Sequence, residues 1–173
     1  MKRLIIYGLS FILLCIGFYH ATIYAIPYYV YGKFHKTMVT QRGLDVNEFS
    51  FIMAPDESSR LVVKPNPDFA YASAFFDLSD GPVKLVGSMP DSTYWSVALY
   101  KPNTINFYIK NDMQYKSNAL DLTLGHQDSD LKVDISSPVI KGFILIRLLI
   151  KDRNQTVQDL MMSHLQTLSI DKI

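Results

Sequence analysis

The stretch 60-RLVVKPNPDFAYASAFFDLSDGP-82 decides how this chain is read. Runs rich in Val, Ala, Phe and Tyr, RLVVK (60–64) and FAYASAFFDL (69–78), flank Pro65-Asn66-Pro67-Asp68, and SDGP closes the segment. β-branched and aromatic runs bounded by such residues read as strands joined by turns. Each proline fixes its own φ and pushes the residue before it, Lys64 or Asn66, toward extended backbone. The turn is therefore stiff. Asn66 and Asp68 then have two readings. They bond neighbouring backbone N–H groups, or they form a preorganised polar pair at a sheet rim where Tyr71 and Tyr94 could line a pocket. The turn is the simpler reading.

Working outward, the same pattern recurs. Strands are expected at 49–53, 60–64, 69–78, 83–87, 92–100, 105–110, 119–124, 131–135 and 142–150, spaced about ten residues apart and punctuated by SDGP, MPDS, KPN and SSP. That spacing predicts a mainly β fold, an antiparallel sandwich or barrel. In STYWSVALY one face carries Trp95, Val97 and Leu99, and the other Tyr94, Ser96, Ala98 and Tyr100. With no charge on either face, the strand is expected to be central. The chain closes on DRNQTVQDLMMSHLQTLSI, where an Asp152 or Asn154 cap leads into Val157, Leu160, Met161, His164, Leu165 and Leu168 at helical spacing. Leu160, Met161, Leu165 and Leu168 are expected to form a partner-docking stripe.

Toward the N-terminus the pattern changes. After Lys2 and Arg3 the sequence is apolar from Leu4 to about Ala25. A helix of about 22 residues spans about 33 Å, which matches a bilayer core. Tyr19, Tyr24, Tyr28, Tyr29 and Tyr31 crowd its far end like an aromatic belt. A cleaved signal peptide would have a shorter apolar region ending at small residues, and Ile23-Tyr24-Ala25 is a poor cleavage site. Leu14 before Cys15 argues against a lipoprotein signal. An uncleaved transmembrane anchor is expected over 1–26, a juxtamembrane helix or linker ending at Gly43 over 27–44, and the β domain over 45–173. Lys2 and Arg3 favour a cytoplasmic N-terminus, whereas Lys33, Lys36 and Arg42 on the other side argue back, so charge leaves the orientation open. His20 reads as an interfacial group or one set against a partner helix.

Composition excludes several chemistries. A chain of 173 residues with a formal charge of +1 has no basic field for nucleic acid. Its one cysteine, Cys15, lies in the apolar run, so no disulfide framework or cysteine-based zinc site forms within one chain. The histidines, at 20, 35, 126 and 164, show no metal-ligand spacing. GHQDSDLKVD offers Asp128, Asp130 and Asp134 but lacks the turn glycine and further oxygen ligands of a calcium loop. No Gly-x-Ser-x-Gly elbow or phosphate loop occurs. No metal and no cofactor are expected.

VVKPNPDFAYASAFFDLSDGPVKLV, STYWSVALYKPNTINF and SSPVIKGFILIRLLI together resemble the bacterial domain of unknown function 1254 (DUF1254) across most of 45–170. Pro65, Asn66, Asp68, Tyr71, Asp77, Gly81, Pro82, Tyr94 and Arg147 occupy that family's motif positions. The resemblance implies a jelly-roll β-sandwich and, because relatives are commonly exported, a periplasmic domain on the bacterial inner membrane. Longer relatives continue into a second domain, DUF1214, which this chain lacks. It thus reads as a short form whose missing half is a separate partner chain. Phe69 stands where the family has threonine, and Lys101 where its tyrosine-rich strand runs into aspartate. Hydroxyl chemistry at the first position is in doubt, and an acid/base role at the second cannot apply.

Three functions follow as expectations. The first is a membrane-tethered extracytoplasmic binding or assembly module acting with a separate protein, more a binder than an enzyme. The second is an enzyme acting on glycan, lipid or a small metabolite through carboxylates such as Asp68 and Asp77. The third is a structural subunit of a membrane complex. One contact is also expected. GFILIRLLI is apolar on both faces apart from Arg147, and a buried guanidinium needs a partner, so Arg147 is expected to reach Asp68 or Asp77.

Overall fold

The computed structural model describes residues 2–53, 66–115 and 117–173. The strand expected over 60–64 and residue 65 of the turn lie outside them. The apolar N-terminal run forms one helix, α1 (Lys2–His35), which passes into a π-helical segment, Lys36–Gln41. Pro27 sits inside α1 and does not divide it. It removes one backbone bond, a loss that long apolar helices tolerate where neighbouring groups compensate. The helix ends at Gly43 as expected: its φ is +68°, and Leu44 N–H donates to Met38 C=O at 3.3 Å. α1 is long and apolar enough to cross a membrane.

The remainder is mostly β. The strands are β1 (Ser50–Ile52), β2 (Phe69–Asp77), β3 (Val83–Ser88), β4 (Trp95–Tyr100), β5 (Asn106–Asn111), β6 (Ala119–His126), β7 (Ile135–Ser137), β8 (Lys141–Leu149) and β9 (Ser169–Lys172). They form one sheet ordered β1-β2-β8-β4-β5 and a second ordered β7-β6-β3-β9. Every pair is antiparallel except β6 with β7, which is parallel. β8 is the centre of the first sheet. It pairs with β2 from Phe69↔Leu149 to Asp77↔Lys141 and with β4 from Trp95↔Leu148 to Tyr100↔Phe143.

Three local expectations are corrected. Of LKVDI only Ile135 enters a strand, because Asp134 folds back onto β6, its N–H donating to Thr123 C=O and its carboxylate accepting from Thr123 N–H. Ser92–Tyr94 precede β4 and do not extend it. The helical stripe stops early: α2 (Gln155–Gln166) starts on an Asn154 cap that accepts from Val157 N–H, and the chain then turns into β9 beside β3.

The two sheets share one core. Ala70, Ala72, Ala74 and Phe76 of β2, Ile144, Ile146 and Leu148 of β8, and Trp95, Val97 and Leu99 of β4 meet Val83, Leu85, Leu120, Leu122 and Leu124 of the second sheet. Met161, Leu165 and Leu168 are buried in that same core, and only Leu160 of the stripe remains half exposed. The stripe expected to dock a partner therefore docks on the chain's own sheets. Turning away from the sheets would return three large apolar side chains to water, at about 1.5–3 kcal/mol each.

The outer face of the first sheet is covered at one end by the end of α1. Phe75 and Phe143, paired across β2 and β8, meet with tilted rings 5.1 Å apart. Tyr31, Phe34 and His35 pack on them with ring centroids 4.7–5.6 Å apart, and Tyr31 donates to Gly142 C=O at 3.2 Å. Phe75 is left only 5% exposed. A Cβ at Gly142 would lie 2.5 Å from both Phe76 Cζ and the Tyr100 carbonyl oxygen. Gly142→Ala is expected to destabilise the fold by about 1–3 kcal/mol through overpacking, read as a lowered midpoint in chemical denaturation.

Candidate functional site

The far end of the same face, where β2 begins and β8 ends, collects five of the six expected motif residues. Asn66 makes a short turn: its Oδ1 accepts from Asp68 N–H at 3.0 Å, and its C=O accepts from Phe69 N–H at 3.3 Å. The Tyr71 hydroxyl ties the turn to the strand, donating to Asn66 C=O at 3.2 Å and accepting from Asn66 N–H at 3.0 Å. Asp68 C=O accepts from Ile150 N–H, Tyr94 C=O from Leu149 N–H, and Thr93 Oγ1 donates to Leu149 C=O, each at 2.8 Å. These bonds hold the ends of β2, β8 and β4 together. Asn66 is thus a turn residue with its side-chain oxygen engaged by backbone.

Arg147 sits on the outer face of β8, in register between Tyr71 of β2 and Ser96 of β4. It is half-buried. Its Nε donates to Ser96 Oγ at 3.3 Å, and its guanidinium carbon lies 5.9 Å from the Phe69 ring centroid. Phe69 in turn contacts Tyr71 at 6.3 Å and Tyr94 at 6.2 Å. The result is a guanidinium against an aromatic wall.

The expected ion pair is corrected. Asp68 pairs with Arg153 at 3.0 Å, largely in solvent, and Asp77 pairs with Lys141 at 2.7 Å. Among the described residues no carboxylate lies within salt-bridge distance of Arg147. The register explains the exchange. Asp77 stands opposite Lys141, while Arg147 stands opposite Tyr71, six positions back along β2. Asp68 precedes the strand and faces the segment after β8. Because Arg147 is only half-buried, water reaches it and its charge survives without a carboxylate.

The same register separates the two carboxylates proposed for acid/base work. Phe69 to Asp77 spans eight strand steps, about 26 Å. Asp68 and Asp77 cannot act on one bond. Among the described residues no group of three or more His, Cys, Asp or Glu side chains is placed to hold a metal ion. A separate polar cluster lies at the β5 edge, where Tyr108 Oη, Asp112 Oδ1 and Tyr115 Oη are buried and have no hydrogen-bond partner among the described residues. Burial pushes both phenols up, so they stay protonated at neutral pH.

Sequence reasoning missed Ser96 as the partner of Arg147, a relation that exists only through strand register. It also missed Arg153 as the partner of Asp68. Phe69 was visible as a departure from the family threonine, though its place against the guanidinium was not.

The profile of the family described as "Protein of unknown function (DUF1254)" matches residues 46–166. Among solved structures, the VPA0106 protein from Vibrio parahaemolyticus is similar with a TM-score of 0.67 at 14% identity, over 88% of this chain and 37% of that one. A putative uncharacterized protein from Burkholderia cenocepacia is similar with a TM-score of 0.52 at 15% identity, over 89% of this chain and 41% of that one. At such identities the likeness is one of fold, and this chain spans about two fifths of their length. A search of curated proteins returns no match.

Asp77, at the opposite end of β2, gives the fold a pH dependence. Burial alone would raise its pKa, but hydrogen bonds from Lys141 and Ser79 and the Lys141 charge outweigh burial and lower it. A carboxyl with a lowered folded-state pKa contributes stability in full above its unfolded value of about 4, and loses it as pH falls through the folded value. Asp77→Asn is therefore expected to lower the melting temperature at pH 7 and leave it nearly unchanged at pH 2. Equal losses at both pH values would show that the ion pair does not carry the effect.

Proposed function

This chain belongs to the DUF1254 family of proteins of unknown function, and on that footing we propose that it is a binding module held at a membrane by α1, with its β domain outside the cytoplasm. The observation that carries this reading is the seat of the helix end on the first sheet. Tyr31, Phe34 and His35 pack against Phe75 and Phe143. The β domain therefore follows the apolar helix without a flexible linker, and the opposite end of its outer face is presented at a set height. A span over residues 1–26 leaves 27–44 to make that seat. The interleaving of β8 between β2 and β4, with β6 beside β3 in the other sheet, supports a jelly-roll wind.

Binding rather than catalysis suits the site. The carboxylates that an enzyme of this kind would use are far apart, and each is held by a cation. A separate protein partner, such as a DUF1214-type chain, is the occupant this reading proposes. It would dock away from Met161, Leu165 and Leu168, which are already covered. The third expectation, a structural subunit of a membrane complex, has only the tyrosine-rich helix in its favour.

Two measurements test the tether and its direction. The full chain is expected to stay with membranes through alkaline carbonate extraction, and removal of residues 1–26 is expected to release a folded domain that keeps its aromatic seat. A reporter active only in the cytoplasm, fused after Ile173, is expected to be silent. Strong reporter activity would reverse the topology, and release of the intact full chain by carbonate would remove the tether.

A further inference from the structure

We infer that Arg147 and the aromatic wall beside it form a binding site for a small carboxylate with a flat aromatic or similar apolar body. This names the ligand class of the binding module proposed above and rests on that reading. Three observations converge. First, the guanidinium is half-buried and oriented: one donor, Nε, is committed to Ser96 Oγ, which itself is fully buried. Among the described residues the terminal nitrogens of Arg147 have no hydrogen-bond partner. A guanidinium held by its inner nitrogen presents its outer edge as a planar fork, the geometry that a carboxylate accepts through two parallel bonds.

Second, two of the carboxylates described at this end are engaged elsewhere. Asp68 is bonded to Arg153 at 3.0 Å, and Asp152 caps the start of α2 through Asn154 at 3.0 and 2.7 Å. The other cation of this end, Lys151, donates to Ser92 C=O. Third, the surface beside the fork is apolar and aromatic. The Phe69 ring lies 6.3 Å from Tyr71 and 6.2 Å from Tyr94, and it takes the guanidinium against its face. The Tyr71 hydroxyl is turned to Asn66, which leaves its ring as surface. A bare inorganic anion would use the fork and ignore this wall. A carboxylate on a flat apolar body uses both.

The experiment is calorimetric titration of the full chain in detergent micelles with benzoate, and separately with benzamide, inorganic phosphate and acetate as probes. Because it is indifferent to which side of a membrane the domain occupies, it fails or succeeds independently of the extraction and reporter experiments. Benzoate is expected to bind saturably, with benzamide, phosphate and acetate each at least tenfold weaker. Arg147→Gln and Arg147→Lys are each expected to weaken benzoate at least tenfold, the lysine because a point charge does not replace the fork. Phe69→Thr is expected to weaken benzoate more than acetate. Should the Arg147 variants fail to fold, as judged by circular dichroism, the wild-type comparison of benzoate with benzamide decides. Equal binding of those two probes, phosphate as tight as benzoate, no saturable benzoate binding, or undiminished binding in a folded Arg147→Gln protein would each overturn the assignment.

Discussion

Everything in this fold hangs on β8 having a strand on each side. A nine-residue strand buried in mid-sheet must satisfy its backbone N–H and C=O groups twice over, and β2 and β4 do so along almost its whole length. Once that pairing is set, the pleat dictates the rest. Ile144, Ile146 and Leu148 point inward to the second sheet, and Phe143, Leu145, Arg147 and Leu149 point outward. A slip of one residue would put Arg147 into the core and the isoleucines into water, so the register is strongly held. The single outer row of β8 then carries two different surfaces. Phe143 seats α1 at one end, and Arg147 presents its charge at the other, four residues or about 13 Å away.

The charges along this face follow the same logic. Lys141 and Asp77 meet because they are cross-strand partners at the sheet's end. Arg153 and Asp68 meet because both lie just outside paired strands, where the chain is free to bring them together; with both side chains about 60% exposed, that pair contributes at most about 1 kcal/mol. Arg147 alone lies mid-strand, where its neighbours are fixed as Tyr71 and Ser96. Neither carries a charge. Ser96 fixes the guanidinium's orientation without neutralising it, and Phe69 offers only its ring face. The cation is retained where the sheet gives it no partner of its own, and that combination marks the spot as a place for something brought from outside.

Much of this was legible in the sequence. The apolar run, the alternation in GFILIRLLI and STYWSVALY, the Asn66 turn, the Gly43 stop and an Asn154 cap all express local rules, and those rules hold in the structure. What local rules do not contain is pairing. Arg147 was expected to reach Asp68 or Asp77 on grounds of burial and charge, both of which are readable from the strand. The missing term was register, which sets Arg147 opposite Tyr71 and sends the two aspartates to Arg153 and Lys141. β9 was hidden for a related reason. SIDK is short and polar, and it becomes a strand only because β3 has a free edge beside it. Leu168 fits a helical stripe by spacing, yet the helix ends before it and the leucine enters the core from the turn.

The aromatic seat gives the anchor a consequence beyond attachment. A helix joined to a sheet by a flexible linker would let the domain rotate freely, and any site on it would face every direction in turn. Here Tyr31, Phe34 and His35 bury Phe75 against the end of α1, and the π-helical segment and Gly43 return the chain toward β1. Uncovering Phe75 and Phe143 would cost about 1.5–3 kcal/mol apiece, so the docked arrangement dominates over a freely rotating one. On the proposed reading, the orientation of α1 in the bilayer becomes the orientation of the first sheet. The outer row of β8 then runs from the membrane-proximal seat to Arg147.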